Sequence, residues 1–168
     1  MSLALFDLDN TLIAGDSDHL WGDFLVAEGL VDPDKHKALN EHYYRQYQQG
    51  QLDIDEYLSF ALGPMAGMTP ETLSALQDKF LKKHVEPILL DAAFDLLQAH
   101  RVNGDTLIII TATNTLVTQP IADRLGVEHL IGCEAELKDG RYTGKPEGVP
   151  SFGEGKVQRI NTWCAEHQ

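Results

Sequence analysis

Basic charge is scarce in this chain: thirteen Lys and Arg stand against twenty-six Asp and Glu, a formal net charge of −13. A field of that sign repels phosphate backbones and anionic lipid within about a Debye length. Nucleic acid and membrane surfaces are therefore not expected as partners. A small phosphorylated molecule meets the same repulsion, so any phosphate site here needs its own local cation and hydrogen-bond donors. Cysteine is scarce too. Cys133 and Cys164 are too few for a disulfide framework and show no metal-ligand spacing, which predicts free thiols in a reducing, cytoplasmic setting. Long apolar runs are missing: no window approaches the roughly 18 consecutive apolar residues of a membrane span, and no basic segment leads into an apolar one at the start. Internal repeats and low-complexity tracts are absent as well.

What remains is a globular composition. Of 168 residues, 43% are apolar, enough for one compact domain or for a core with a modest insertion. Leu3 to Phe6 is apolar at successive positions, the pattern of a strand covered on both faces and hence central in a parallel sheet. Thr106 to Ile110 repeats that design and runs into a polar cluster, Thr111-Ala112-Thr113-Asn114, expected as a loop. Val117, Ile121 and Leu125 form a helical stripe ended by Gly126, and His129 to Cys133 reads as a third strand. Strand, helix and strand in that order predict an α/β protein with a Rossmann-like open parallel sheet whose ligand site lies at the carboxyl ends of the strands.

About ninety residues separate the first two strands, far more than a crossover helix needs. Helices are predicted over Ser17 to Glu28, Pro33 to Gln49, Asp53 to Leu62 and Pro70 to Lys83, with start signals at Asp32-Pro33, Asp53 and Thr69-Pro70. The expected organisation is an α/β core over 1–15 and 89–168, entered again through a helix from Leu89 to His100, with a helical cap over 16–88. Glu134 to Thr143 reads as a small β-hairpin turning at Asp139-Gly140.

Asp7 and Asp9 carry the chemistry. Two carboxylates one residue apart, where a buried strand becomes a loop, repel each other unless a cation joins them or one takes a proton. Either outcome suits phosphoryl transfer: magnesium accepts such oxygens together with substrate phosphate, one carboxylate can attack phosphorus, and the other can move the proton. A bare D-x-D more often caps a turn or binds calcium, but the calcium-loop template requires glycine where Leu12 stands.

The segment Phe6-Asp7-Leu8-Asp9-Asn10-Thr11-Leu12 resembles the first signature of the haloacid dehalogenase superfamily. That resemblance implies Asp7 as nucleophile, Asp9 as general acid and base, and Mg2+ bound through the first carboxylate and the backbone carbonyl of the second aspartate. Dehalogenating members lack the second aspartate, so Asp9 implies phosphate-ester cleavage. Thr111 matches the second signature, a hydroxyl that holds a phosphoryl oxygen together with the loop of Ala112, Thr113 and Asn114. Lys156, ahead of a helical stripe at Val157 and Ile160, matches the signature lysine, with Lys145 as its competitor. A nucleotide-binding P-loop is excluded because Pro150 stands where its first glycine belongs and Val157 replaces its Ser or Thr. The cap's position resembles the phosphoserine phosphatase-like subgroup (subfamily IB), in which Asp16 would meet a substrate amine; as a helix N-cap it is read equally well. Ala112-Thr113-Asn114 departs from the glycine pair of phosphoserine phosphatases, which puts serine phosphate in doubt as the substrate.

Trp21, Phe24, Tyr43, Tyr44, Tyr47, Tyr57 and Phe60 are expected mostly as the core of the cap, with one or two facing substrate. The seven histidines show no ligand spacing. The family's fourth signature, an acidic strand after the Lys156 helix, has no counterpart before Gln168, so the sequence is expected to be a piece of a longer protein. Two functions follow as expectations: a Mg2+-dependent phosphatase that hydrolyses a small phosphorylated metabolite through an aspartyl-phosphate, or a catalytically weak phosphate-ligand binding module of the same fold. Oligomeric state is not legible.

Overall fold

The structure, a computed structural model, describes residues 2–167. Strand β1 (Leu3–Phe6) leads into helices α1 (Ser17–Ala27), α2 (Pro33–Gln48), α3 (Ile54–Leu62) and α4 (Pro70–Phe80). A π-helical turn (Leu81–Val85) and a 3-10 turn (Glu86–Ile88) follow, then α5 (Asp91–Val102), β2 (Thr106–Asn114), α6 (Thr115–Leu125), β3 (His129–Lys138), β4 (Arg141–Glu147) and α7 (Glu154–Glu166). The sheet has the order β1-β2-β3-β4, parallel across the first two pairings and antiparallel between β3 and β4. This is the expected α/β, Rossmann-like open sheet.

Local chemistry explains the boundaries. Asp16, Asp32, Asp53 and Thr69 each cap a helix by accepting from a backbone N–H two or three residues on, which satisfies one of the orphan donors of the first turn. Gly126, in the left-handed region at φ 68°, stops α6. The β3–β4 turn falls at Asp139 and Gly140, both at positive φ, the geometry that a two-residue hairpin requires.

Among the described residues β1 pairs with β2 alone, and Leu5 stays 48% exposed. Two expectations change. The polar cluster Thr111-Ala112-Thr113-Asn114 belongs to β2 but leaves its ladder, because two more residues lie on β2 than on β3 between the pairs Ile110–Ile131 and Asn114–Cys133. Such a bulge re-aims side chains at a strand end. Finally, His129 to Lys138 is one strand, whose first half pairs with β2 and whose second half forms the hairpin.

One continuous buried cluster joins the sheet and the helices. Phe24 and Trp21 of α1 and Phe80 of α4 meet in it, with ring centroids 5.0 to 5.7 Å apart, together with Leu97 of α5 and Val117 and Ile121 of α6. Helix α2 contributes no buried residue. It packs on α3 through Tyr43 against Tyr57 and Phe60 and His36 against Phe60, and His36 also lies against Gly22 of α1. The expected aromatic core of the inserted helices thus holds for Trp21 and Phe24, whereas Tyr44 and Tyr47 stand 61% and 59% exposed. No helix among the described residues is long and apolar enough to cross a membrane.

Candidate active site

The chain leaves β1 through a turn that its apolar residues lock in place. Leu8, Leu12 and Ile13 are wholly buried, the N–H groups of Thr11 and Leu12 donate to the Leu8 carbonyl, and Ala14 N–H donates to Ile88. Asn10 takes φ 55°, the left-handed region that asparagine tolerates best after glycine. With the turn pinned on both sides, Asp7 and Asp9 face one cavity. It also brings together Thr111, Ala112, Thr113 and Lys156, with Asp16 at the start of α1.

Each carboxylate has a distinct setting. Asp7 is open to solvent on over half of its side chain, and its Oδ1 lies 3.8 Å from Lys156 Nζ. Asp9 is partly buried: Oδ1 accepts from Ser17 N–H at 2.7 Å and Oδ2 from the Thr113 hydroxyl at 3.0 Å. Burial pushes its carboxyl above the ordinary carboxylate range, against the lowering effect of the Ser17 and Thr113 hydrogen bonds, and the charge of Asp16 adds to the rise. One carboxylate is thus exposed beside an ammonium, and its neighbour is held in a setting that favours a proton.

Lys156 sits near the start of α7, a helix with no buried residue. Arg159, one turn on, holds that helix to the core: its guanidinium donates to the carbonyls of Gly132 and Val149 and to Glu134, whose other oxygen accepts from Thr115 at the start of α6. Gly155 completes the seat by lying against the Pro150 carbonyl. Lys145, the competing lysine, lies on β4 and does not line the cavity.

The bulged end of β2 divides its tasks in a way that residue order does not reveal. Thr111 is buried and its Oγ1 accepts from Thr113 N–H at 3.1 Å, so its own hydroxyl proton is left to donate into the cavity. Thr113 was expected on the substrate; its N–H is taken by Thr111 and its hydroxyl holds Asp9. Asn114 was expected there too, but it is buried and caps α6 through Val117 N–H. Ala112 lines the cavity while its carbonyl turns inward to accept from the buried Cys133 thiol. Asp16 caps α1 through His19 N–H and also lines the cavity, so both of its expected roles remain compatible.

Sequence reasoning missed Ser17, whose backbone N–H orients Asp9, and the lining residues Asp18 and Glu41; Tyr43, Tyr44, Tyr47 and Tyr57 all line the cavity, more than the one or two expected to face substrate. Asp18 is the most perturbed carboxyl of the group, pushed up to about 7 by burial and by the charges of Asp16 and Asp9. Because the folded chain holds this proton where the unfolded chain, with an ordinary value near 4, has released it, Asp18 stabilises the fold most at acid pH. That contribution is lost as pH rises from about 4 to about 7. Asp18→Asn is expected to remove the loss: thermal midpoints of variant and parent, measured from pH 4 to 8, should diverge in the variant's favour across that window, and parallel curves would contradict the assignment.

Comparison with known proteins follows the geometry. The model of the haloacid dehalogenase-like hydrolases matches residues 4–168. A histidinol-phosphatase of Neisseria meningitidis serogroup C is 43% identical over 98% of this chain and 75% of its own length. A crystal structure of a protein of unknown function from Bordetella pertussis Tohama I superimposes with a TM-score of 0.90 at 43% identity, over 99% of this chain and 75% of that one. A phospho-aspartyl intermediate analogue of phosphoserine phosphatase shares the fold at a TM-score of 0.63 and 16% identity, over 99% of this chain and 71% of that one.

Proposed function

The chain belongs to the haloacid dehalogenase-like hydrolases, as a phosphoric monoester hydrolase among phosphatase-named relatives, and we propose that it hydrolyses a small phosphomonoester through an aspartyl-phosphate on Asp7. The observation that carries this reading is the split between the two aspartates, one exposed beside Lys156 and one partly buried with a raised pKa.

In the first half-reaction an Asp7 oxygen forms a bond to phosphorus as the ester P–O bond breaks, and the Asp9 proton passes to the departing alkoxide. In the second, Asp9, now ionised, takes a proton from water; the hydroxide attacks phosphorus and the acyl-phosphate bond returns its electrons to Asp7. The Thr111 hydroxyl and the Lys156 ammonium hold the phosphoryl oxygens in both halves, where negative charge builds up. Thr113 and Ser17 keep the Asp9 carboxyl aimed, and both of its oxygens are committed to them.

Magnesium fits the charge of this cavity, where Asp7, Asp9, Asp16, Asp18 and Glu41 face a single lysine. The Asp7 carboxylate and the Asp9 backbone carbonyl would hold the ion. The Asp9 carboxylate, left to move the proton, accepts from its own two donors. Among the described residues no three His, Cys, Asp or Glu side chains cluster as a metal site, so phosphate and water oxygens would complete the shell. A bound Mg2+ supplies charge neutralisation for the phosphoryl oxygens and lowers the repulsion between phosphate and nucleophile.

The helices over 16–88 serve in this reading as a cap on the core of 1–15 and 89–168, with α2 and α3 over the cavity to exclude bulk water during the acyl-phosphate stage. The name of the Neisseria relative makes histidinol phosphate the first ester to assay. Inorganic phosphate should be released from it or from p-nitrophenyl phosphate only with Mg2+ present, and chelation should abolish release reversibly. A chain that binds the esters but releases no phosphate at any Mg2+ concentration would be the weak binding module instead.

A further inference from the structure

Three consecutive residues of β3, Gly132, Cys133 and Glu134, stand between the segments that carry Thr111 and Lys156, and each is tied to both. Gly132 is the one β3 residue opposite the bulge, since Ile131 pairs with Ile110 and Cys133 with Asn114. A Cβ there would come within 2.9 Å of the Thr113 carbonyl oxygen and of the Thr115 methyl group, so the bulge rests on bare backbone. The Gly132 carbonyl accepts from Arg159 at 3.1 Å. The buried Cys133 thiol donates to the Ala112 carbonyl at 3.1 Å, while its sulfur accepts from Ser151 N–H at 3.2 Å. Glu134 repeats the pattern with its two carboxylate oxygens, one accepting from Arg159 at 3.1 Å and the other from the Thr115 hydroxyl at 2.9 Å.

The partners fall into two sets. Ala112, Thr113 and Thr115 continue the chain from Thr111, whereas Ser151 and Arg159 flank Lys156, with Arg159 three residues on and therefore beside it on the surface of α7. Helix α7 buries no residue of its own, so these directional ties, rather than a packed face, set where its first turn lies. Two of them run to the Arg159 guanidinium, and hydrogen bonds from a charged donor are stronger than neutral ones. Gly132, Cys133 and Glu134 do not line the cavity. We propose that they are positioning residues that hold Lys156 and the Thr111 loop in one fixed spacing, with the Glu134 carboxylate as the link between α6 and α7; this rests on the phosphatase reading above. Donors that meet charge as it builds on a phosphoryl group must be in place before it appears. The brace on β3 supplies that without touching substrate.

Three variants test this. Glu134→Ala cuts both carboxylate ties, Glu134→Gln keeps an oxygen and an amide at the same reach, and Thr115→Val removes only the hydroxyl while keeping the side chain's volume, which reads the same link should the alanine chain fail to fold. Phosphate release from p-nitrophenyl phosphate gives kcat, and calorimetry gives the Kd of inorganic phosphate, both with Mg2+ present. Glu134→Ala and Thr115→Val are each expected to lower kcat by about tenfold, part of the roughly hundredfold cost of a 1 Å displacement, and Glu134→Gln should recover most of the loss. On a Lys156→Ala background the loss from either variant should shrink toward nothing, because groups that act as a unit are not additive. A purely structural role would leave that loss undiminished. An unchanged kcat in Glu134→Ala and Thr115→Val, or a loss that persists in full without Lys156, overturns the proposal while leaving the phosphatase reading intact. No turnover by the parent, with a phosphate Kd that weakens in Glu134→Ala and Thr115→Val and recovers in Glu134→Gln, overturns the phosphatase reading and retains the positioning role.

Discussion

Asp7→Asn should reduce phosphate release by about four orders of magnitude or more, the scale seen when a covalent nucleophile is removed. The amide is nearly isosteric with the carboxylate and occupies an exposed position, so the loss should come without unfolding. Asparagine cannot form the acyl-phosphate, and it also removes the anion that Lys156 faces at 3.8 Å. Unfolding midpoints should stay within about 0.5 kcal/mol of the parent, as for surface substitutions. Rapid acid quench of the parent during turnover should trap a phosphoryl group on Asp7, absent from the variant. Retention of a few per cent of parental turnover by the asparagine chain would remove Asp7 from the role of nucleophile.

A methyl group at Gly155 should disable the enzyme from outside the chemistry. The added Cβ would run into the Pro150 carbonyl oxygen and approach its carbon to 3.2 Å, a backbone-to-backbone collision that no rotamer change relieves. Helix α7 must therefore shift, and Lys156 is the next residue. Displacing a catalytic group by about 1 Å costs on the order of a hundredfold in rate, and forced overpacking costs about 1–3 kcal/mol of stability. Gly155→Ala is expected to show both, with kcat falling more than ester affinity. Gly63→Ala, at a position where nothing lies within 4 Å of the added methyl and φ is helical, is the control; it should leave rate and stability close to the parent. Equal behaviour of the two variants would show that the seat of α7 does not set the position of Lys156.

How far the sequence could be read depended on how local each cause was. The capped helix starts at Asp16, Asp32, Asp53 and Thr69 and the Asp139-Gly140 turn are decided within three or four residues, and they stood where expected. Apolar runs located β1 and β2 because a covered strand has to be apolar on both faces. The same argument left the neighbours of β1 open, since a strand's pattern reports burial and not which neighbour provides it. The bulge after Ile110 was hidden for a related reason. It exists only as a mismatch of register between two strands, which neither strand's sequence contains.

The candidate site divides along the same line. Asp7 and Asp9 could be singled out as paired carboxylates where a covered strand ends, and Thr111 and Lys156 through their resemblance to the second and third signatures of the haloacid dehalogenase superfamily. The duties of Ser17, Thr113 and Asn114 could not, because each depends on a partner reached through the fold: Ser17 N–H and the Thr113 hydroxyl on Asp9, and Asn114 on the first turn of α6.

The amino-acid sequence by itself pointed to the fold class, the capped starts of α1 to α4 and the paired carboxylates of Asp7 and Asp9, since propensity, capping and chemical type act over a few residues. Only the tertiary structure decided that Asp9 is the aspartate with the raised pKa, that Lys156 rather than Lys145 meets Asp7, and that α2 presents its tyrosines to the cavity. Those outcomes are set by burial and by distances between segments up to about 150 residues apart in the chain. Desolvation and Coulomb energy act through space, so no local window of residues contains them.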